Sequence, residues 1–441
     1  MSRAWTISLL AALIGGAAPA AAQLIGGGLS GALGGVTAPV GGLLGQAQLQ
    51  GAATATAALA SPLDIAVFRG ALSPGDLLAL RRERLRALVR ANRNVLDADD
   101  VGAPIRRDEI VAINMTPAVL DRIQTAGFAA IRQQTIDGVG LALTILKPPH
   151  HKSARKAIAL LRATDPDGAY ELNHIYQPAG GSLGLGPGDG AAAGSGRSGG
   201  IKVGLIDGGI GAHPAFAAAH IEQRGFAGAV QPSGHGTAVA SLLVGDAGAF
   251  HGAATGTMLY AADVYGGSPA AGSAEAIAQA MGWLATRGVR VVNISLVGPP
   301  NRLLEASVAA LIRRGIIIVA SVGNDGPAAP PQFPAAYPNV MAVTATDPRG
   351  RVLAEAGGAA HLDFAAPGSE LAGAVPGGRY ETLRGTSFAA PFVTARLAHA
   401  MQGGAAQPVD AVAAEATPGR DVGRGIVCVS CRIAPRAVGV R

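Results

Sequence analysis

Gly385-Thr386-Ser387-Phe388-Ala389-Ala390-Pro391 is the stretch around which the chain is organised, and an apolar, helix-compatible run follows it from Phe392 to Met401. Gly385 permits a tight backbone approach, and Thr386 is a good capping type. This reading puts Ser387 in the first turn of a helix, where free backbone N–H groups and the positive helix end favour a developing anion. Ser387 is therefore a candidate nucleophile, and its own N–H a candidate donor to an oxyanion. Serine at a helix start is usually only a cap, so the weight falls on what stands upstream.

Three other segments complete a constellation. Ile201 to Asp207 is an apolar run of strand length that ends in a carboxylate and then in Gly208 and Gly209. Ser233-Gly234-His235-Gly236-Thr237 sets a histidine at a glycine-rich helix entry. Ile316 to Val322 is β-branched and empties into Gly323-Asn324. Serine needs an adjacent base to lose its proton, and histidine titrates near neutrality. A carboxylate on the other ring nitrogen fixes the tautomer and stabilises the imidazolium. An asparagine amide can donate to the same oxyanion as the serine N–H. Each residue alone has a bland reading, Asp207 as a turn former, His235 as a cap and Asn324 as a loop residue. All four together do not.

In this order the segments resemble the subtilisin-like serine proteases (subtilases), over about Ile201 to Asp421, half the chain. The order Asp, His, Ser is one of the known triad orders. The resemblance implies an α/β fold, a subtilisin-like parallel sheet flanked by helices. It implies an endopeptidase with Asp207, His235 and Ser387 as triad, Asn324 in the oxyanion hole and polypeptide substrates. No cofactor is implied. Many relatives bind structural calcium, but the loop Gly245–Phe250 carries one acid, Asp246, so no metal ligand is assigned. Val292 to Gly298 resembles the family's substrate-pairing edge, which makes Ser295, Leu296, Val297, Gly298 and Gly323 the candidate substrate-binding residues. Val297 stands where glycine is usual and narrows the primary pocket, with Gln332 at its base. Small or medium side chains are therefore expected before the scissile bond, and Asp325 beside the pocket adds a mild preference for basic ones. Gly208 stands where the family usually has Ser or Thr, so Asp207 is expected to be held less firmly, with a modest loss of rate. That departure alone supports the rival reading, an exported binding protein on the same scaffold.

Composition narrows the field further. The chain has 441 residues, enough for two or three domains, and aromatics make up only 4%, which suits a Val/Ile/Leu/Ala core. The net charge is +6, yet residues 201–421 hold 13 Lys/Arg against 15 Asp/Glu. The basic surplus thus lies outside the catalytic half. The lack of a basic, aromatic-rich run or binding motif argues against a nucleic-acid partner, and none is expected.

Residues 1–22 read as a secretory signal peptide, with Arg3, the apolar Trp5–Ala18 and Ala20-Ala21-Ala22 before Gln23. The protein is expected to be exported, to the periplasm or beyond. Residues 23–72 are a Gly/Ala-rich low-complexity segment interrupted by Pro39, Gln46, Gln48 and Gln50, so no transmembrane span is expected after signal removal. Residues 73–108 form a basic helical segment: from Leu77 to about Asn92 a stripe of Leu77, Leu78, Leu85, Leu88 and Val89 faces crowded arginines, read as a solvated helix packed on a neighbour.

Residues 109–178 alternate β-α-β-β-α-β, a small α+β ferredoxin-like unit. A strand begins at Glu109, Thr116-Pro117 starts a helix, Asp137-Gly138 turns a hairpin, Ser153 caps a second helix, and Ala169 to Tyr176 is the last strand. Its place before the subtilase-like half resembles that family's propeptide, an intramolecular inhibitor. Residues 179–200 read as a flexible Gly/Ser-rich linker, with processing expected between about Tyr176 and Gly200. Residues 201–421 are the catalytic domain and 422–441 a C-terminal tail, where Cys428 and Cys431 are expected to form a short local disulfide.

Overall fold

A computed structural model describes residues 73–179 and 200–440, all within one unit. The expected signal peptide, the low-complexity segment and the linker beyond Ala179 lie outside the described residues. Helix α1 (Pro74–Ala91) starts on a reciprocal capping box: Asp76 N–H donates to Ser73 Oγ at 3.2 Å, and Ser73 N–H to Asp76 Oδ2 at 2.8 Å. Leu77, Leu85 and Leu88 form its buried stripe.

The first sheet contains β1 (Leu96–Ala98), β2 (Pro104–Ile113), β3 (Ala129–Ile136), β4 (Leu141–Lys147) and β5 (Ala169–His174). Helices α2 (Pro117–Thr125) and α3 (Ala154–Thr164) cross between its strands. The strands run antiparallel in the order β5-β2-β4-β3, with β1 on the first part of β2, which is the ferredoxin-like arrangement. Strand β2 begins five residues before Glu109, because Pro104–Arg106 pairs with β1, a strand too short to show in the sequence. The expected Asp137-Gly138 hairpin is a 3₁₀ turn over Asp137–Val139, closed by Gly140 at φ 67°. Alternation sends Ile110 and Ala112 to one face, packed on Ile123, Leu146 and Leu161 under the two helices. Val111, Leu143 and Ile145 go to the other face, into a core shared with the second sheet.

After β6 (Gln177–Pro178) the second sheet is built from β7 (Lys202–Asp207), β8 (His220–Gly225), β11 (Met258–Asp263), β12 (Val291–Ile294), β14 (Ile317–Ser321), β15 (Met341–Thr346) and β16 (Phe364–Pro367). It has seven strands in the order β16-β15-β14-β12-β7-β11-β8, each pair parallel. Helices α4 (Gly234–Val244) and α7 (Ala390–Gln402) share a core with Val203, Leu205 and Val291. Helices α5 (Ala274–Arg287) and α6 (Arg302–Arg313) share the other core with Ile206, Val292 and Ile294. Neighbouring residues of one strand enter opposite cores, as a sheet buried on both faces requires. The remaining pieces are two hairpins, β9 (Asp246–Ala247) with β10 (Phe250–His251) and β17 (Ser369–Val375) with β18 (Arg379–Arg384), the short β13 (Leu296–Val297), and α8 (Pro408–Glu415). The segment after Asp421 does not fray. Val427 N–H donates to Ala365 O at 2.7 Å and Ala372 N–H to Ile433 O at 2.8 Å, and Cys428 and Cys431 are joined by a disulfide.

Candidate active site

The candidate residues sit at the carboxyl ends of the parallel strands, where sites in such sheets form. Asp207 ends β7, and its Oδ1 lies 2.8 Å from His235 Nδ1; both side chains are at most 3% exposed. His235 is in the first turn of α4, which Ser233 caps through Gly236 N–H at 2.9 Å. Asn324 follows β14, and its Oδ1 accepts from the Thr386 N–H at 3.0 Å. The His235 and Phe388 rings are 5.4 Å apart between centroids. Ser387 thus lies between a residue bonded to Asn324 and a residue whose ring is tilted against that of His235. Its hydroxyl donates to the Ser295 carbonyl at 3.3 Å. Asp207 Oδ2, His235 Nε2 and Asn324 Nδ2 are buried without hydrogen-bond partners. A free imidazole nitrogen and a free amide donor beside a serine are what a base and an oxyanion donor require.

Two local readings need correction. Ser387 is not in the first turn of an α-helix: Thr386–Phe388 is a 3₁₀ turn, and α7 begins at Ala390. Thr386 does not cap it; its Oγ1 accepts from Gly323 N–H at 3.2 Å, tying the serine turn to the Asn324 loop. The site also has parts that pattern reading missed. Thr394 Oγ1 donates to Asn293 Oδ1 at 3.2 Å, Asn293 Nδ2 to Ser295 Oγ at 2.9 Å, and Ser295 Oγ to the Ser387 carbonyl at 3.0 Å. Asp263, beside Asp207 in the strand register, accepts from the Gln231, Tyr265 and Gly266 amides and gathers the loops behind the carboxylate. Burial raises the Asp263 pKa, and the nearby Asp207 charge adds to this.

Gly208 has a local cause. A Cβ there would lie 2.3 Å from Ser233 Oγ, so the capping serine of α4 fills the space that a side chain would take.

The residues expected to pair with a substrate are already engaged by the chain itself. Leu296 pairs with Pro178 and Val297 with Gln177 in antiparallel register. The Ala179 N–H donates to the Ser295 carbonyl at 3.0 Å, and the Tyr176 N–H to the Gly272 carbonyl at 2.8 Å. Tyr176 is fully buried, and its hydroxyl donates to Pro299 O at 2.7 Å. Its ring lies over Gly298, where a Cβ would approach it to 2.5 Å. Ala179 is therefore held in the cleft and is not the start of a free linker. Gly323, at φ 94°, lies against Gln332 and Val297. Among the described residues, no group of three or more His, Cys, Asp or Glu side chains is arranged to hold a metal ion, and no helix is long and apolar enough to cross a membrane.

Comparison with known proteins agrees with this architecture. Residues 198–415 match the subtilase family model. Subtilisin Savinase from Lederbergia lenta is 38% identical over 204 residues, covering 44% of this chain and 73% of that protein. An alkaline protease from Shouchella clausii is also 38% identical over 204 residues, covering 44% of this chain and 52% of that protein. The solved structure of fervidolysin from Fervidobacterium pennivorans superposes with a TM-score of 0.60 at 19% identity, over 74% of this chain and 61% of that one, and shares the fold. The chain belongs to the subtilase family of serine proteases.

Proposed function

We propose that this chain is an exported endopeptidase, made as a precursor that cleaves itself after Ala179, with Asp207, His235 and Ser387 as triad and Asn324 as oxyanion donor. One observation carries the reading: the Ala179 N–H and the Ser387 hydroxyl share the Ser295 carbonyl, at 3.0 and 3.3 Å. The two groups are thus within two hydrogen-bond lengths of each other. Ala179 is also the residue that follows the pair Gln177–Pro178 on β13, as a peptide added to a sheet edge would be placed.

Rotation of the Ser387 side chain away from Ser295 O takes its hydroxyl to His235 Nε2. His235 accepts the proton as Oγ attacks the Ala179 carbonyl carbon, and Asp207 stabilises the imidazolium through Nδ1. The oxyanion is received by Asn324 Nδ2 and the Ser387 N–H. The imidazolium then protonates the leaving amine of Gly180, and water hydrolyses the acyl-enzyme by the same relay. The same steps serve other polypeptides once residues 73–179 have left. Until then β6 covers the edge that a substrate would use, so the prosegment is the chain's own inhibitor. Export rests on the sequence of residues 1–22.

Expression of the full chain tests this. The wild type should yield a form beginning at Gly180 that is labelled at Ser387 by a fluorophosphonate, and Ser387→Ala should stay uncut and unlabelled. A mature terminus well before residue 170, or cleavage that persists in Ser387→Ala, contradicts the proposal.

A further inference from the structure

Beside Asp207 stands a second buried carboxylate to which the steps above give no part. Asp263 closes β11, is 1% exposed, and is the register partner of Asp207 on β7. Neighbouring strands lie about 4.8 Å apart and register partners share a face, so both side chains leave the sheet on the side of Leu205 and Ala261, which α4 covers. The donors to Asp263 are backbone amides: Gln231 N–H on Oδ2 at 2.7 Å, and the Tyr265 and Gly266 N–H groups on Oδ1 at 2.8 and 3.1 Å. Each of these partners donates, which favours the ionised acid. Burial pushes the Asp263 pKa up, the amides pull it back, and the Asp207 charge raises it again. Among the described residues, the ion pair of Asp207 with His235 is the only one that either carboxylate forms.

The other ionisable groups nearby supply no cation. Burial, and then the Asp207 and Asp263 charges, push the Tyr265 phenol well above its usual pKa, so it stays neutral. Glu222 and Arg224 of β8 pair with Tyr260 and Ala262, whose side chains enter the opposite core. Arg224 lies there over the Phe226 ring at 5.2 Å, and Glu222 bonds Arg287 at 2.9 Å. The cation that the two carboxylates face is the one His235 becomes on taking the Ser387 proton. Asp263 also reaches His235 through the backbone. Gln231 leads into Ser233, the cap of α4, and the Ser233 N–H donates to the Gly209 carbonyl at 2.8 Å. The turn that presents His235 is therefore tied to Asp263 on one side and to the loop after Asp207 on the other.

We infer that Asp263 is a positioning residue for His235: its amide bonds fix the entry of α4, and its charge, added to that of Asp207, stabilises the imidazolium that the attack creates. The inference rests on the proposed triad. Two like charges side by side repel in the resting enzyme, and that repulsion is relieved once His235 carries a proton. The gain falls in the transition state and not in substrate binding.

Asp263→Asn tests this. The amide keeps an acceptor for Tyr265 and Gly266 and removes one of two like buried charges, so the fold should hold. The kcat/KM of the processed enzyme on one peptide is followed against pH. The acid limb should move to lower pH by about half a unit or more, and kcat on the plateau should fall by about three- to tenfold with a smaller change in KM. A residue that only held the loop would lower the plateau and leave the limb in place. An unmoved limb, or one moved upward, therefore overturns the inference. Should Asp263→Asn not mature, the uncut Ser387→Ala chain is compared with and without it by NMR. The His235 ring signals should then titrate at lower pH in the double variant, and an equal midpoint overturns the inference. Should neither form fold, Asp263→Glu decides, because it keeps the charge: a limb displaced from wild type by more than about half a unit overturns it. Fluorophosphonate labelling separates this from the triad. Ser387 labelled with the limb unmoved overturns the role of Asp263 alone, whereas a wild type that is neither labelled nor active overturns both.

Discussion

At the scale of single residues, the proposed catalytic set is held by backbone as much as by side chains. Asn324 is pinned through its oxygen by the Thr386 N–H, which leaves Nδ2 as the free donor. Asn324→Ala should therefore lower turnover by about 10²–10³-fold, the range established for removing such an amide in a subtilisin, with a smaller change in KM; steady-state kinetics on a peptide substrate checks this. Gly208 and Ser233 form a second test. Gly208→Ser forces a Cβ into the Ser233 hydroxyl and should destabilise by about 1–3 kcal/mol. Ser233→Ala should cost about 1 kcal/mol through the lost α4 cap. If the two side chains compete for one space, Gly208→Ser combined with Ser233→Gly melts at a higher temperature than Gly208→Ser alone. Gly208 is thus explained by packing. The expectation of a loosely held Asp207 came from the family resemblance; Ser233 Oγ takes the space of a Gly208 side chain, while Asp207 Oδ2 is buried without a hydrogen-bond partner.

At the scale of elements, the segment proposed as the prosegment is anchored on both sides of β6. Tyr176→Ala removes a fully buried ring lying on Gly298 and should cost about 3–5 kcal/mol. Thermal melting of the uncut Ser387→Ala chain measures this, and an unchanged midpoint refutes the anchor. A contact inside the same segment depends on pH. Burial alone would push the Asp99 carboxyl up, but the His174 ring at 3.2 Å and the Ala103 amide outweigh burial and hold its pKa below the ordinary carboxylate value. A depressed acid contributes stability that is present above its unfolded value, about 3.9, and is lost as pH falls through the folded value. The Ser387→Ala chain should therefore lose stability below about pH 4, and Asp99→Asn should flatten that limb of the melting curve.

At the scale of the whole molecule, one core joins both sheets: Val111 and Ile145 of the first pack with Ile277 and Met281 behind the second. The uncut Ser387→Ala chain should accordingly unfold in a single calorimetric transition. Two separated transitions would show the layers to be independent. This shared core also explains what the sequence left unread. Strand–helix alternation and the Asp, His, Asn and Ser segments were legible because each carries its own local pattern, a β-branched run closed by glycine or a cap before an apolar stripe. Strands β1, β6 and β13 are two or three residues long and exist only through their partners, so no periodicity announces them. The arginines of α1 looked like a solvated face because their acceptors, Asp325 and Gln332, lie more than two hundred residues away in sequence.

The letters alone settled the family resemblance, the parallel α/β sheet and the four residues proposed for catalysis, since motif and period are properties of short stretches. Only the tertiary structure decided that Ala179 sits on the carbonyl that receives Ser387, that Ser233 fills the place left by Gly208, and that Arg81 meets Asp325. Such contacts depend on the angles at which distant segments pack, and no local run of residues encodes those angles.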